Sequence, residues 1–208
     1  MNSPFLNNFS RIFKANFPFL IPALLFWTFG TSWLLIDGKA NVHLWFDVHH
    51  YPPFDIFFKY VTHMGDGLLL LAVIVLLFIL KQKDKAWPLL VGYLSSTTLV
   101  QIVKNFLPQN SRPYIYFYHR ELYRIQGVDL MADGSFPSGH SSIAFCLYFM
   151  LATMVKPWWQ KTLLGLVAVS VCISRMYLNQ HFFSDVIVGG MIGWLLMSIV
   201  LCLMAKSE

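Results

Sequence analysis

Charged residues are scarce in this sequence, since Asp, Glu, Lys and Arg make up only 12% of its 208 residues. Soluble domains carry about twice that share. Hydrophobic residues reach 57% here, and the mean hydropathy is +0.58. No stretch is long and polar enough to form a separate soluble domain, and no internal repeat or low-complexity tract is present. The composition therefore excludes a soluble protein and predicts one integral membrane domain over residues 1–208.

Cysteine is also rare, and potential metal ligands are poorly spaced. The three cysteines are spread through apolar runs, which fits neither a disulfide framework nor a metal cluster; they are Cys146, Cys172 and Cys202. Four histidines in the first third of the chain lack the spacing of metal ligands; they are His43, His49, His50 and His63. Carboxylates do not cluster either. No metal and no cofactor are predicted.

Six apolar runs are long enough, or nearly so, to cross a bilayer, which needs about 20 residues per helix. The predicted spans are residues 17–36, 68–80 with an earlier start, 86–103, 141–155, 162–176 and 183–204. We therefore expect an all-α, polytopic membrane protein with six transmembrane helices in a bundle.

Basic residues flank these spans and give the chain a formal net charge of +5. They form four clusters, which are Arg11 with Lys14, then Lys81, Lys83 and Lys85, then Lys156 with Lys161, and finally Lys206. With six spans all four clusters fall on one side, which the positive-inside rule makes cytoplasmic. Orientation and anionic lipid thus explain the charge, and nucleic acid is not expected as a partner. Both termini are predicted to be cytoplasmic.

The opposite face receives cations and imidazoles from three separate segments. KNFLPQNSRP supplies Lys104 and Arg112, SFPSGH supplies Ser138, Gly139 and His140, and SRMYLNQHFFSD supplies Ser174, Arg175, His181 and Asp185. The planar fork of arginine suits phosphate oxygens. Free N–H groups at a helix start near Gly139 also favour an anion. Together these groups predict a cradle for a tetrahedral oxyanion.

The two histidines supply the reactive groups of this predicted site. His181 and Asp185 are four residues apart, so on a helix the carboxylate accepts from one ring nitrogen of the imidazole. The other ring nitrogen is then a nucleophile. His140 has no carboxylate at that spacing and is assigned as the general acid. The fixed cations would do what magnesium does in kinases, which predicts phosphoryl transfer without a metal.

These motifs resemble those of the type-2 phosphatidic acid phosphatase superfamily, Lys-x6-Arg-Pro, Pro-Ser-Gly-His and Ser-Arg-x5-His-x3-Asp. The second motif matches at residues 137–140 and the third at residues 174–185. The first departs, because seven residues separate Lys104 from Arg112. The resemblance implies a metal-independent lipid phosphatase in which His181 forms a phosphohistidine and His140 protonates the leaving group. Lys104, Arg112 and Arg175 would hold the phosphate.

The expected substrate is a membrane lipid phosphate at the periplasmic face of a bacterial cytoplasmic membrane. Undecaprenyl diphosphate and phosphatidylglycerol phosphate are the first expectations, and a lipid A phosphate is an alternative. A lipid-to-lipid phosphotransferase shares the phosphohistidine step and stays open. A non-enzymatic anion-binding membrane protein is the remote alternative, and it predicts charges within the spans.

Two features of the predicted outer face allow more than one interpretation. The segment 113–136 is rich in aromatic residues and is either an interfacial belt or a grip on the lipid head group. Asp66 is either a carboxylate at a helix N-terminus or a partner of a cation in the site.

Overall fold

The structure is a computed structural model and describes residues 4–106 and 111–205, so Lys206 lies outside the described residues. In these ranges the protein is all-helical, and its only β-type pairing is an isolated antiparallel bridge between Ser111 and Asp133. The helices are α1 (Pro4–Val48), α2 (Pro52–Val61), α3 (Gly67–Ile79), α4 (Lys83–Phe106), α5 (Pro113–Tyr116), α6 (Gly139–Met154), α7 (Trp158–Tyr177) and α8 (Phe183–Met204).

Each predicted span coincides with a helix, but the first two differ from the prediction in shape. α1 extends well beyond residues 17–36 and breaks at Gly38, where φ is 74°, a value that glycine adopts without steric cost. The second span is bent by 50° between Pro52–Gly65 and α3. By length and composition, α1, α4 and α8 qualify as membrane spans, and the bent pair makes a fourth. α6 is apolar but shorter, so six spans remain a prediction.

The central helix of the bundle is α6, which packs against α1, α3, α4, α7 and α8. Ten of its 16 residues are buried, as expected for a helix that is apolar around its whole circumference. Phe145 and Phe149 pack their rings on Phe19 of α1, with centroids 6.0 and 5.3 Å apart. The PSGH motif therefore begins a helix inside the bundle rather than at its edge.

Glycines on neighbouring elements allow a close approach to the first turn of α6. A Cβ at Gly189 or Gly193 of α8 would overlap the backbone oxygen of Ser138 or Ser142. Small residues of this kind let helix backbones pack closely in membranes. The start of α6 is thus fixed by backbone contact with α8.

Lys161 is a buried link between α1 and α7, although the sequence treated it as an orientation charge. Lys161 is only 8% exposed, and its Nζ donates to the backbone oxygen of Ala15 at 2.6 Å. The neighbouring Thr162 donates from Oγ1 to the oxygen of Pro18 at 3.2 Å. That oxygen has no helical donor, because Pro22 lacks an N–H group.

Candidate active site

A cavity of about 270 Å³ lies where α6 begins. Five residues proposed from the sequence line it, and these are Lys104, Arg112, Gly139, His140 and His181. The other lining residues were not anticipated, and these are Thr97, Val100, Gln101, Met131, Ser142 and Ile143. The fold therefore joins three distant segments at one cavity. The predicted residues Ser138, Arg175 and Asp185 are not among the lining residues.

The turn that carries His181 is built by the end of α7. This helix closes in a Schellman motif, in which Gln180 N donates to Arg175 O at 3.0 Å and Asn179 N donates to Met176 O at 3.0 Å. Asn179 has φ 55°, a left-handed conformation that asparagine tolerates better than most residues. The N–H of His181 also donates to Arg175 O, at 3.1 Å. The motif therefore fixes His181 against the last turn of α7.

Asp185 is close to His181, but the predicted cause, a shared helix face, is wrong. The two residues do not share a helix face, because α8 begins at Phe183 and His181 precedes it. The gap between Asp185 Oδ2 and His181 Nδ1 is 3.5 Å, which is long for a hydrogen bond. The same Oδ2 accepts from Phe182 N at 2.9 Å and from Ser135 Oγ at 2.5 Å. Asp185 therefore ties the loop before α6 to the first turn of α8.

His181 is held in its neutral form by burial. The residue is 1% exposed, and desolvation lowers its pKa from 6.5 to about 3, against the opposing effect of Asp185. The nearby charges of Arg112 and Arg175 contribute to this lowered pKa. A neutral imidazole keeps a lone pair on one ring nitrogen. Because Nδ1 faces the carboxylate of Asp185, Nε2 is the ring nitrogen that points away from it.

Lys104 and Arg112 both belong to the cavity wall. One precedes and the other follows residues 107–110, which lie outside the described residues. Nζ of Lys104 donates to the backbone oxygen of Gly134 at 2.7 Å. Arg112 Nη1 donates to the backbone oxygen and to Oε1 of Gln180, at 3.2 and 3.1 Å. Burial lowers the pKa of Arg112, and the same low-dielectric surroundings strengthen the attraction of its charge for an anion. Both cations line the cavity despite the extra residue between them.

Ser138 and Arg175 contact other parts of the site. Ser138 is the N-cap of α6, where its Oγ accepts from Ser141 N at 3.4 Å, and its own N–H donates to the backbone oxygen of Asp185 at 2.9 Å. Arg175 is buried and donates from Nη1 to Thr62 Oγ1 at 2.6 Å. Ser138 thus orients the helix start, and Arg175 places a second guanidinium charge close to His181.

The structure gives contacts for Asp66 and for the segment 113–136, the two features that the sequence left open. Asp66 is the N-cap of α3 and accepts from Leu68 N at 3.0 Å, and its charge also acts on the buried guanidinium of Arg175, so both interpretations keep support. In the 113–136 segment, Tyr123 N donates to Asp47 at 2.8 Å and Arg124 lies 5.4 Å from the ring of Tyr114. In residues 4–106 and 111–205, no three His, Cys, Asp or Glu side chains group as metal ligands.

Several residues that support the site were missed by the sequence reasoning. They are Thr62, Gly134, Ser135 and Gln180, together with Thr97 and Ser142 in the cavity wall. Position gave a weak signal for three of them, because Ser135 and Ser142 flank the PSGH motif and Gln180 precedes His181. Nothing in the local sequence distinguishes Thr97, inside α4, or Thr62, at the end of α2, from other hydroxyl residues.

Known proteins resemble this chain over more than half of its length. The family model described as the PAP2 superfamily matches residues 85–208. Phosphatidylglycerophosphatase B of Bacillus subtilis (strain 168) is 32% identical over 154 residues, which cover 67% of this chain and 70% of that protein.

Two solved structures share the fold. The crystal structure of Aquifex aeolicus LpxE gives a TM-score of 0.67 at 30% identity and covers 78% of this chain and 94% of that one. The crystal structure of the first transmembrane PAP2 type phosphatidylglycerolphosphate phosphatase from Bacillus subtilis gives 0.65 at 24% identity, with coverage of 87% and 94%. The second likeness concerns the fold alone.

Proposed function

The chain belongs to the PAP2 superfamily and is a membrane-embedded lipid phosphatase, and we propose that it hydrolyses its substrate through a phosphohistidine at His181. One observation carries this proposal. Lys104, Arg112, Gly139, His140 and His181 converge on a single cavity of about 270 Å³. The cavity thus combines fixed cations, a helix N-terminus and two imidazoles, which together can stabilise a phosphoryl group, attack it and protonate its leaving oxygen.

The proposed reaction has two steps. In the first, Nε2 of His181 attacks phosphorus, the P–O bond to the lipid breaks, and His140 gives its proton to the leaving oxygen. In the second, water attacks the phosphohistidine, the P–N bond breaks, and His140 takes a proton from the water. The products are the dephosphorylated lipid and inorganic phosphate. Asp185 keeps the ring of His181 in the tautomer with Nε2 unprotonated.

Charge on the phosphate would be balanced by the protein itself. Lys104 and Arg112 in the cavity wall, with Arg175 beside His181, stabilise the transferring group as it passes between oxygen and nitrogen. The N-terminus of α6 adds backbone N–H donors at Gly139 and His140. The proposed reaction therefore proceeds without a metal or another cofactor.

The proposed substrates are phosphatidylglycerol phosphate and undecaprenyl diphosphate, with lipid A phosphate as an alternative. The name of the 32% identical relative favours the first of these. We place the chain in a bacterial cytoplasmic membrane as one domain with six spans and cytoplasmic termini. The cavity then faces the exterior, a topology that is supported by the basic clusters at the opposite ends of the helices.

The test is phosphate release by the purified protein with EDTA present. The substrates are phosphatidylglycerol phosphate, undecaprenyl diphosphate, phosphatidic acid and lipid A, each assayed with wild type and with His181→Ala. The matched control is His49→Ala, which removes an exposed histidine outside the cavity. We expect release by wild type and the control, and none by His181→Ala. Acid-labile phosphate on the protein during turnover would identify the intermediate.

Three results would contradict the proposal in different ways. Turnover by His181→Ala contradicts the nucleophile assignment. Loss of activity in EDTA that magnesium restores contradicts the metal-independent chemistry. Transfer of labelled phosphate to a second lipid, without release of free phosphate, points to a phosphotransferase instead.

A further inference from the structure

The ring of His181 is held only loosely by hydrogen bonds of its own. Its Nδ1 lies 3.5 Å from Asp185 Oδ2, which is long for a hydrogen bond, and Nδ1 has no closer partner among the described residues. The position of the ring therefore depends mainly on the backbone turn that carries it. Two residues of that turn, Asn179 and Phe182, contact the end of α1.

Asn179 makes the first of these contacts. The residue is 1% exposed, and its Nδ2 donates to Asp47 Oδ1 at 2.9 Å and to the backbone oxygen of Tyr123 at 3.0 Å. The same oxygen of Asp47 accepts from Tyr123 N at 2.8 Å. Hydrogen bonds to a carboxylate are stronger than neutral ones, and Asp47 is only 6% exposed. One carboxylate oxygen of α1 therefore joins the 111–138 loop to the turn before His181.

Phe182 makes the second contact. Its buried ring lies 5.1 Å from the ring of His43, between centroids, and Nζ of Lys39 is 3.9 Å from the centroid of the Phe182 ring, which is within the range of a cation–π interaction. Lys39, His43 and Asp47 all belong to residues 39–48 of α1, which we call the outer segment. The outer segment therefore contacts the chain on both sides of His181.

The outer segment is set apart from the rest of α1 and from the family motifs. It follows the break at Gly38, where φ is 74° and ψ is 161°, a conformation that residues with a side chain rarely adopt. The family model matches residues 85–208, so the whole segment lies outside the matched part. The motifs of the family therefore do not predict a contact between α1 and the turn of His181.

We propose that Asp47 is a positioning residue for His181. Its carboxylate fixes the amide of Asn179, and the fixed turn aims Nε2 of His181 at the phosphate. Asp47 is not among the described residues that line the cavity, whereas His181 is, so Asp47 acts through the turn and does not touch the substrate. This inference rests on the proposed function, because it takes His181 as the nucleophile.

The test measures kcat and KM separately for wild type, Asp47→Leu, Asp47→Asn and Asn179→Gly, with phosphatidylglycerol phosphate in detergent micelles. Leucine has nearly the shape of aspartate but no acceptor, whereas asparagine keeps one oxygen for both donors. Glycine at position 179 still adopts the φ of 55° and removes only the amide.

We expect kcat to fall about tenfold or more in Asp47→Leu and in Asn179→Gly, because a misplacement of about 1 Å slows a reaction strongly. KM should change by less than about twofold, since Lys104 and Arg112 still hold the phosphate. Asp47→Asn should stay within about threefold of wild type, because the acceptor is retained.

Two controls separate positioning from folding. Asp37→Leu removes an exposed carboxylate of α1 that accepts from Trp33 Nε1, and it should leave kcat unchanged. The thermal unfolding midpoint is measured for every variant, and kcat is expressed per mole of folded protein. The double variant Asp47→Leu/Asn179→Gly should lose about as much as the worse single variant, because both changes remove the same link.

The outcomes distinguish this inference from the proposed function. If wild type is inactive, or if His181→Ala keeps its turnover, the proposed function fails and the positioning role fails with it. If His181→Ala is inactive but Asp47→Leu keeps kcat, only the positioning role is wrong. A lower unfolding midpoint with unchanged kcat shows that Asp47 serves the fold alone. Equal losses in Asp47→Asn and Asp47→Leu also overturn the inference, because charge and not the link to Asn179 is then what matters. If Asp47→Leu does not fold, Asn179→Gly decides the same question.

Discussion

Arg112 donates from Nη1 to both the backbone oxygen and the side-chain Oε1 of Gln180, the residue immediately before His181. Gln180 therefore links Arg112 to the backbone that carries the proposed nucleophile, His181. Gln180 also donates from Nε2 to the backbone oxygen of Asp129 at 2.8 Å. The side-chain amide of Gln180 therefore connects two points of the 111–138 loop to the turn between α7 and α8.

Replacing Gln180 with leucine should weaken phosphate binding. The substitution removes the Oε1 acceptor and leaves a buried guanidinium short of one partner, which costs about 1–3 kcal/mol. We expect kcat/KM to fall about tenfold, mainly through KM, because in the proposed reaction Arg112 would bind the phosphate from the ground state onward. Gln180→Glu keeps an acceptor for Arg112 and should keep the protein folded. The control is Gln126→Leu at an exposed position of the same loop. An unchanged KM in Gln180→Leu would show that Arg112 is positioned by other contacts.

Replacing Asp185 with asparagine should reduce turnover far more than replacing Ser135. Asp185 faces Nδ1 of His181, and an amide at this position no longer selects the tautomer with Nε2 unprotonated. In a comparable carboxylate–histidine pair of a protease the loss in kcat is about 10⁴-fold, and we expect at least about 10²-fold here. Ser135→Ala removes only one donor to the carboxylate and should cost less than about tenfold. Comparable kcat values in the two variants would mean that Asp185 serves the fold rather than the imidazole.

His181 should remain neutral well below its ordinary pKa. Burial lowers the pKa to about 3 in the folded protein, against 6.5 for an unperturbed histidine. The unfolded chain then binds more protons between these values. The stability due to neutral His181 is therefore complete above about pH 6.5 and is lost as pH falls toward about 3. The measurement is ¹⁵N NMR of histidine-labelled protein in nanodiscs, with His181→Ala to assign the signal. We expect the ring signals of His181 to be unchanged from about pH 7 to about pH 5. Protonation within that interval would contradict the prediction.

Adding a methyl group at Gly193 should destabilise the bundle. Its Cβ would overlap the backbone oxygen of Ser142, and a helix backbone cannot move aside as a side chain can. Overpacking of this kind costs about 1–3 kcal/mol. Gly92→Ala is the matched control, because there the nearest atom is the flexible sulfur of Met197 at 2.6 Å. Thermal unfolding in detergent should show a clearly lower midpoint for Gly193→Ala than for Gly92→Ala. Equal midpoints would mean that α8 shifts away from α6 without cost.

Much of the site could be anticipated because its residues recur in compact motifs. The PSGH segment begins α6, and five predicted residues line one cavity, although their roles remain predictions until the variants are measured. The pairing of His181 with Asp185 was anticipated for the wrong reason, since His181 belongs to the end of α7 and α8 starts later. A Schellman turn at Asn179 creates that geometry, and helical spacing alone does not reveal it.

The sequence by itself determined the class of this protein. Its scarcity of charge and its apolar runs require a lipid environment for the helices, and its cations, imidazoles and PSGH motif indicate phosphate chemistry. The tertiary structure decided which polar groups meet. Gln180 reaches Arg112 across 68 residues and Ser135 reaches Asp185 across 50, and no local propensity encodes such pairs. Burial decided the rest, because only a folded bundle can remove water from His181.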